Sequence, residues 1–365
     1  MRPRLAVALS AILASAATAC IWDSDTIRDE MQTRADDFDL IVGQFPHHGA
    51  GYHESRVAVS RAALEKDPKD IAALNDLGVA LLKLGRWDES EAAFASIEAL
   101  QPGKYETFSN LGVMYKKKGD FAKAAEYTKK ALAIRPSGHL GLGDYYLKML
   151  DWRSARAADP KAIPGKDFLG REYSQWSMWS RPLQTAEDRE RLCALVRSDR
   201  LFPDALLVLG DQYCGERNLN LAMWAWVRAL DLGHPNPNAI ETRMAEVFRH
   251  WKEALQHRGG RTLEVKSVDA YRSLVSAALK KATGWQESFE TIEGELVAKN
   301  PGVDFATVEA EMVKRGQNRY RPENLGLDGA GSGKDDRKQP DEAGAKSPPV
   351  GDALSDEVDT VREKK

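Results

Sequence analysis

The chain has 365 residues, of which 42% are hydrophobic and 29% charged, and a formal net charge of −3. This length and composition permit a packed core, in more than one ordinary domain or in one elongated solenoid. Lysines and arginines form no basic half or stripe, which argues against nucleic acid as a partner, and three cysteines are too few for a disulfide-built scaffold or a zinc ribbon.

Residues 1–19 read as a targeting segment. Arg2 and Arg4 precede an apolar run from Leu5 to about Ala17. That run is shorter than the roughly 20 residues needed to cross a bilayer and has the layout of a secretory signal. Ala17-Thr18-Ala19 is a small-x-small cleavage site, and Cys20 follows it directly. Two outcomes fit: ordinary cleavage leaving a free cysteine, or a lipoprotein signal that makes Cys20 the acylated N-terminus. We take the second, since cleavage placed immediately before a cysteine is otherwise a coincidence, although Ala17 stands where a lipobox usually has Leu. Either outcome predicts an extracytoplasmic location, in the periplasm or cell envelope, with membrane contact only through the lipid.

Residues 20–69 are predicted to form N-terminal helices. Ser24 to about Val42 reads as one helix with Ser24 as its cap. Ser55 to Pro68 reads as the second helix of a repeat unit whose first helix would contain Pro46 and is therefore degenerate, which suits a capping role. His47, His48 and His53 raise the question of a metal, but adjacent histidines rarely turn to one ion and no His-x-x-x-His pair joins them. The reading is a polar turn with no metal and no cofactor.

Residues 70–152 carry a repeat. Pro68, Pro102 and Pro136 are spaced 34 residues apart, as are Gly78 and Gly112, and Gly85 and Gly119. In each unit Leu77 or Leu111 precedes the first glycine, and Trp87 or Phe121 opens the second helix. Gly78 is predicted to admit the facing helix closely, Gly85 to end the first helix in a left-handed conformation, and Ser90, Phe94 and Ile97 to line the second. The next unit repeats this with Phe108, Tyr115, Ala124 and Ala131, although Thr128 stands where Phe is expected, beside Tyr127. His139 to Trp152 resembles the first helix of a divergent unit, with His139 at its start as a local cap.

Residues 153–202 are predicted as a connecting loop, Arg153 to Gly170, and a helix, Thr185 to Ser198, with Thr185 and Asp188 in a capping-box-like arrangement. Tyr173, Trp176 and Trp179 cluster with Arg171 and Arg181, either as an interface or, the preferred reading, as a patch packed back on the body. Residues 203–236 hold a further copy of the repeat in Leu206, Leu209, Gly210, Tyr213, Ala222, Trp226 and Ala229. At least one of Trp224 and Trp226 is expected between helices. Cys193 and Cys214 are a candidate disulfide or two unrelated buried thiols. Residues 237–321 are read as helices Pro237–His257, Val268–Ala282, Gln286–Lys299 and Asp304–Arg315. Residues 322–365 are rich in Gly, Pro, Ser and charge and are expected to be a disordered tail. In that tail Gly329 to Lys334 lacks the first glycine and the final Ser or Thr of a phosphate loop, and the Leu354, Val358, Val361 stripe is read as a charged terminus.

The spacing and residue types from Pro68 to Pro136 resemble the tetratricopeptide repeat (TPR) superfamily, with a weaker copy from Pro203 to Asn236. Pro102 to Thr107, Asn110 to Gly112, His139 and Tyr145 also resemble exported bacterial TPR proteins of unassigned function. The fold class this implies is all-α, a TPR-type helical-hairpin solenoid with extra C-terminal helices. The resemblance further implies a concave groove that holds an unidentified protein or peptide. Its lining positions would be Asn75, Val79, Leu82 and Lys83, then Glu106, Ser109, Asn110, Val113, Lys116 and Lys117. Asn110 fits the carboxylate clamp of one TPR subset, but Asn75 and Val79 replace its Lys and Asn, so that ligand is not carried over. The function expected is a non-catalytic interaction scaffold in the cell envelope. The alternatives are a small-ligand site or enzyme in the helices after Trp152, and a passive lipid-anchored tether.

Overall fold

In the computed structural model, residue 30 and residues 35–257 and 267–322 are described. They form thirteen α-helices: α1 (Asp37–Val42), α2 (Ala50–Lys66), α3 (Ile71–Lys83), α4 (Trp87–Leu100), α5 (Tyr105–Lys118), α6 (Phe121–Ile134), α7 (Gly143–Ala158), α8 (Ala186–Ser198), α9 (Pro203–Gly215), α10 (Leu219–Asp231), α11 (Pro237–His257), α12 (Val268–Val297) and α13 (Phe305–Lys314). Among the described residues there is no strand, only an isolated bridge between Lys166 and Glu172. The signal segment, Cys20, Ser24, the tail beyond residue 322 and the sites read in it lie outside the described residues.

Three hairpins share one construction. Asp70 caps α3 by accepting from the amides of Ala72 and Ala73 at 2.9 and 3.1 Å, Asp120 caps α6, and Asn218 caps α10. A small residue on the first helix then faces a larger one on the second. A β-carbon on Gly78 would lie 2.7 Å from Phe94 Cε1, on Gly112 2.9 Å from Thr128 Oγ1, and on Gly210 2.4 Å from Trp226 Nε1. Ser90 adds a hydrogen bond from its hydroxyl to the Gly78 carbonyl at 2.7 Å. Thr128 itself fills the place expected of Phe, fully buried, while Tyr127 stays to one side and stacks on Tyr115.

The hairpins do not stand as an open array. α9 is buried along nearly its whole length, from Asp204 to Gly215, and α10 buries both Trp224 and Trp226. A helix apolar on all sides belongs in a core, and this pair is the centre of the molecule. α1 and α12 pack on α10, α8 packs on α9, and α12 also packs against α2, so the N-terminal and C-terminal helices meet. A short strap closes the contact. Tyr320 N donates to Gln44 Oε1 at 2.7 Å and Gln44 Nε2 to the Tyr320 carbonyl at 3.3 Å. Arg319 and Arg321 both bond Asp39, which is buried.

The structure differs from the sequence reading at four places. Asp36 is extended and caps a new helix start by accepting from Asp39 N, so one helix does not run through to Val42. α7 continues to Ala158, so the connecting loop begins at Asp159 rather than Arg153. His139 opens a turn of 3-10 helix with φ 55°, and α7 proper starts at Gly143. The two helices expected at 268–282 and 286–299 are one 30-residue helix that passes through Gly284. An interior glycine costs about 1 kcal/mol, which the burial of Trp285, Phe289 and Ile292 against Phe305, Val308 and Met312 of α13 outweighs.

Candidate functional site

The ten positions expected to line the groove fall into two groups. Asn75, Val79, Leu82, Glu106, Ser109, Asn110 and Val113 are buried. Val79, Leu82 and Val113 belong to the main core. Asn110 Nδ2 donates to Asn75 Oδ1 at 2.9 Å, a buried contact that ties α5 to α3, and Glu106 pairs with Arg135 at 3.5 Å. These seven are interior groups of the folded chain, which removes them as an open lining. Their burial comes from packing within the folded chain, part of it between segments far apart in sequence, which leaves no local signal.

The three lysines remain at the rim. Lys83 lies 3.5 Å from Glu30, a carboxylate that also accepts from His48 N at 3.0 Å. Burial pushes Glu30 up, but Lys83, His48 and His47 outweigh it and hold its pKa at about 2. Lys116 pairs with Asp199 at 3.2 Å, and Arg153 reaches the same oxygen at 2.9 Å. Burial raises Asp199, and the two cations more than reverse this. Lys117 is exposed and makes no ion pair among the described residues. Surrounding protein and then the charges of Lys83 and Lys116 still lower its pKa to about 8.

Arg200, in the link between α8 and α9, completes this site and was not expected from sequence. It stacks on Phe45, with its guanidinium carbon 4.4 Å from the ring centre. Burial lowers its pKa to about 10 against the opposing pull of Glu30 and Glu290. One arginine in a four-residue link carries no motif, and only the fold brings it onto Phe45.

The other residues singled out by sequence are placed as follows. His48 is buried with Nδ1 2.6 Å from Glu293 Oε1, while Gly49 N donates to Glu293 Oε2 at 2.7 Å. Its ring stacks on Tyr52 at 3.5 Å. His47 lies 3.2 Å from Glu290. The two histidines anchor the turn before α2 to α12. His53 is buried, and burial, then Lys83, hold its pKa well below the usual histidine range. Among the described residues no group of three or more His, Cys, Asp and Glu is arranged to hold a metal. His139 is fully buried with neither ring nitrogen partnered, and burial followed by Lys116 lowers its pKa to about 3. Cys193 and Cys214 are free thiols, both raised to about 12 by burial, and Cys214 Sγ donates to the Met178 carbonyl.

The aromatic and arginine cluster packs back on the body. Tyr173 is buried and its hydroxyl donates to Asp204, which also accepts from His234 Nε2 at 2.9 Å and from Phe168 N at 2.6 Å. Trp176 meets Trp226 edge to face. Arg243 bonds Asp211 through Nε at 2.7 Å and Nη2 at 3.1 Å, and Trp226 Nε1 donates to the same carboxylate at 3.2 Å. Trp179 is exposed, at 65%, beneath Arg217, and Arg181 is exposed as well. Next to this network a cleft of about 480 Å³ is lined by Trp152, Arg156, Ala162 and residues 164–170.

These hairpins, with a glycine on one helix and a large residue or Thr on the other, the first two 34 residues apart, define an all-α helical-hairpin repeat protein. Tetratricopeptide repeat family descriptions match residues 105–137 and residues 61–92. The chain carries tetratricopeptide repeats in these residues. No curated protein matches it. Among the described residues no helix is long and apolar enough to cross a membrane.

Proposed function

We propose that this chain is a protein-interaction scaffold of the cell envelope. The repeats carry the reading, since tetratricopeptide repeats generally mediate protein–protein interactions and are typically non-catalytic. The surface left for a partner is the rim of the concave face, where Lys83 and Lys117 stand on the two matched units and Arg200 joins them. Export rests on the charged, apolar and small-residue order of residues 1–19, and the lipid anchor on Cys20. The test is site-specific photo-crosslinking from position 117 in intact cells, with position 96 on the exposed side of α4 as reference. A discrete adduct at 117 and none at 96 supports the scaffold, and the same adducts at both positions, or none, refutes it. Intact mass of the native N-terminus reads the anchor: a diacylglyceryl cysteine at position 20 supports it, and a free Cys20 rejects it.

A second reading, a small-ligand site in the helices after Trp152, is favoured by the cleft beside α7. Against it, the Arg156 guanidinium is already engaged by the carbonyls of Asp159, Pro160 and Ala162. A metabolite screen by thermal shift separates the two, because a ligand of the native state raises the melting temperature by mass action.

A further inference from the structure

Trp179 differs from the other aromatic side chains of its loop. It is 65% exposed on the turn before α8, yet its place is fixed. The Arg217 guanidinium carbon lies 3.2 Å above its ring centre, and His250 of α11 meets it edge to face at 6.1 Å. Arg181, two residues further on, donates from Nε to the Gly215 carbonyl at 3.1 Å and is otherwise open to solvent. Neither Arg217 nor Arg181 makes an ion pair among the described residues. Tryptophan and arginine already held in place lose little freedom on contact, and both are enriched among residues that carry binding energy. The face is an aromatic plate beside unpaired cations, and it fits a segment that is both apolar and acidic.

This chain contains such a segment. Residues 352–361 carry Asp352, Asp356, Glu357 and Asp359 and no lysine or arginine, and Leu354, Val358 and Val361 recur at the spacing of one helix face. The segment lies beyond Pro322, where the described chain ends, and that end is near the face. The Arg321 guanidinium carbon is 5.6 Å from the Phe38 ring centre, and Phe38 meets Trp224 of α10 at 4.9 Å. Trp224 is two turns from Arg217, about 10 Å at the rise of an α-helix, so the path from Arg321 to Arg217 is on the order of 25 Å. A stretch of about 30 residues, the separation of Pro322 from Leu354, spans on the order of 30 Å even as a random coil. A tether of that length holds its end at a local concentration on the order of mM. We propose that residues 352–361 dock on the Trp179 face of their own chain, with Leu354 and Val358 against the indole and the acidic side chains on Arg217 and Arg181. A guanidinium stacked on a ring keeps its edge donors free for a carboxylate. An anionic bilayer or a second copy would meet the same groups, but neither has the advantage of the tether. The contact lies away from the concave face and is independent of the scaffold reading.

The test is photo-crosslinking of the full chain from position 177, an exposed serine two residues before Trp179, with the adducts located by mass spectrometry. The expected result, in intact cells and in the purified monomer alike, is an intrachain adduct within residues 352–361 whose yield falls as salt is raised. Neutralising the segment with Asp352→Asn, Asp356→Asn, Glu357→Gln and Asp359→Asn together lowers that yield at least fivefold, and Leu354→Ser with Val358→Ser lowers it similarly. These changes lie outside the helices, so the proposal stays testable whatever a change in the body does to folding. Arg217→Glu lowers the yield at least fivefold, while Lys129→Glu, the same charge change at an exposed position of α6, lowers it less than twofold. Circular dichroism separates loss of docking from loss of fold in these two. An adduct to a second copy, to a lipid or to another protein in place of residues 352–361, an adduct to the helices alone, or no adduct overturns the proposal. Equal effects of the changes at 217 and 129 overturn it as well.

Discussion

The two matched repeats and the unmatched third hairpin use the same device to different ends. In α3/α4 and α5/α6 the close approach at Gly78 and Gly112 is served by Phe94 and Thr128, and much of α4 and α6 faces solvent. In α9/α10 the approach at Gly210 is served by Trp226, whose indole nitrogen is fixed by Asp211, and Asp211 is fixed by Arg243. The peripheral units can be read from local spacing because each is nearly complete in itself. The central one depends on what surrounds it: the loop carrying Tyr173 and Trp176, α1, α8, α11 and α12. A repeat at the edge of an array presents a surface, and a repeat that other elements enclose becomes a core.

The comparison can be broken most directly at the buried ion pair. Arg243→Ala leaves buried Asp211 with only the more distant Arg171, at 3.9 Å, and is expected to cost about 3 kcal/mol. The matching lesion in the repeats, Arg61→Ala at the exposed pair with Glu89, is expected to cost less than about 1 kcal/mol. Urea unfolding of both variants checks this, and similar losses at the two sites would erase the distinction between core hairpin and surface hairpin.

Next in size are the glycines. Gly210→Ala puts a β-carbon against an indole that cannot retreat, with a backbone carbonyl, that of Ala222, 3.1 Å away on another side. About 3 kcal/mol of destabilisation is expected from such overpacking. Gly78→Ala meets only the edge of Phe94 and is expected to cost about 2 kcal/mol, and Gly112→Ala, against the Thr128 hydroxyl, nearer 1 kcal/mol. Melting temperatures of the three variants should fall in that order.

His139 sharpens the same contrast through pH. Its pKa is lowered to about 3, so the unfolded chain takes up a proton near pH 6.5 that the folded chain refuses. Stability is therefore intact above about pH 6.5 and is lost as pH falls toward 3, by a few kcal/mol in all. His139→Phe keeps a ring against Tyr146 and should flatten that part of the stability profile. An unchanged profile would assign the acid sensitivity to other groups, His53 first among them. The smallest expected effect is that of oxidation: with Cys193 and Cys214 as free thiols, the melting temperatures of the oxidised and reduced unsubstituted protein should agree within about 2 °C.

Much of the fold was legible in sequence and much of the site was not, for one physical reason. Gly78, Gly112, the three prolines and the Asp70 and Asp120 caps act within a few residues or one hairpin, so their spacing is a sufficient record of them. Even the third hairpin was visible through Gly210 and Trp226. The enclosure of that hairpin had a trace too, since residues 205–209 and 222–227 are apolar with no polar face, a pattern of burial on all sides. The burial of the groove positions, the pairing of Glu30 with Lys83, and the stacking of Arg200 on Phe45 had none. They depend on which distant segments meet, and helical period carries no information about that.

The strap formed by Arg319, Tyr320 and Arg321 has a consequence for how the molecule comes apart. An open repeat array has two free ends and can fray inward one unit at a time. Here the first described helix and the last described residues hold each other through Asp39 and Gln44, so no unit is terminal in the energetic sense. Loosening either end requires releasing the other, which converts a stepwise process into a single cooperative one. A pulling experiment or hydrogen exchange should then find the outer helices opening together with the centre, as in a barrel whose staves are held by one hoop.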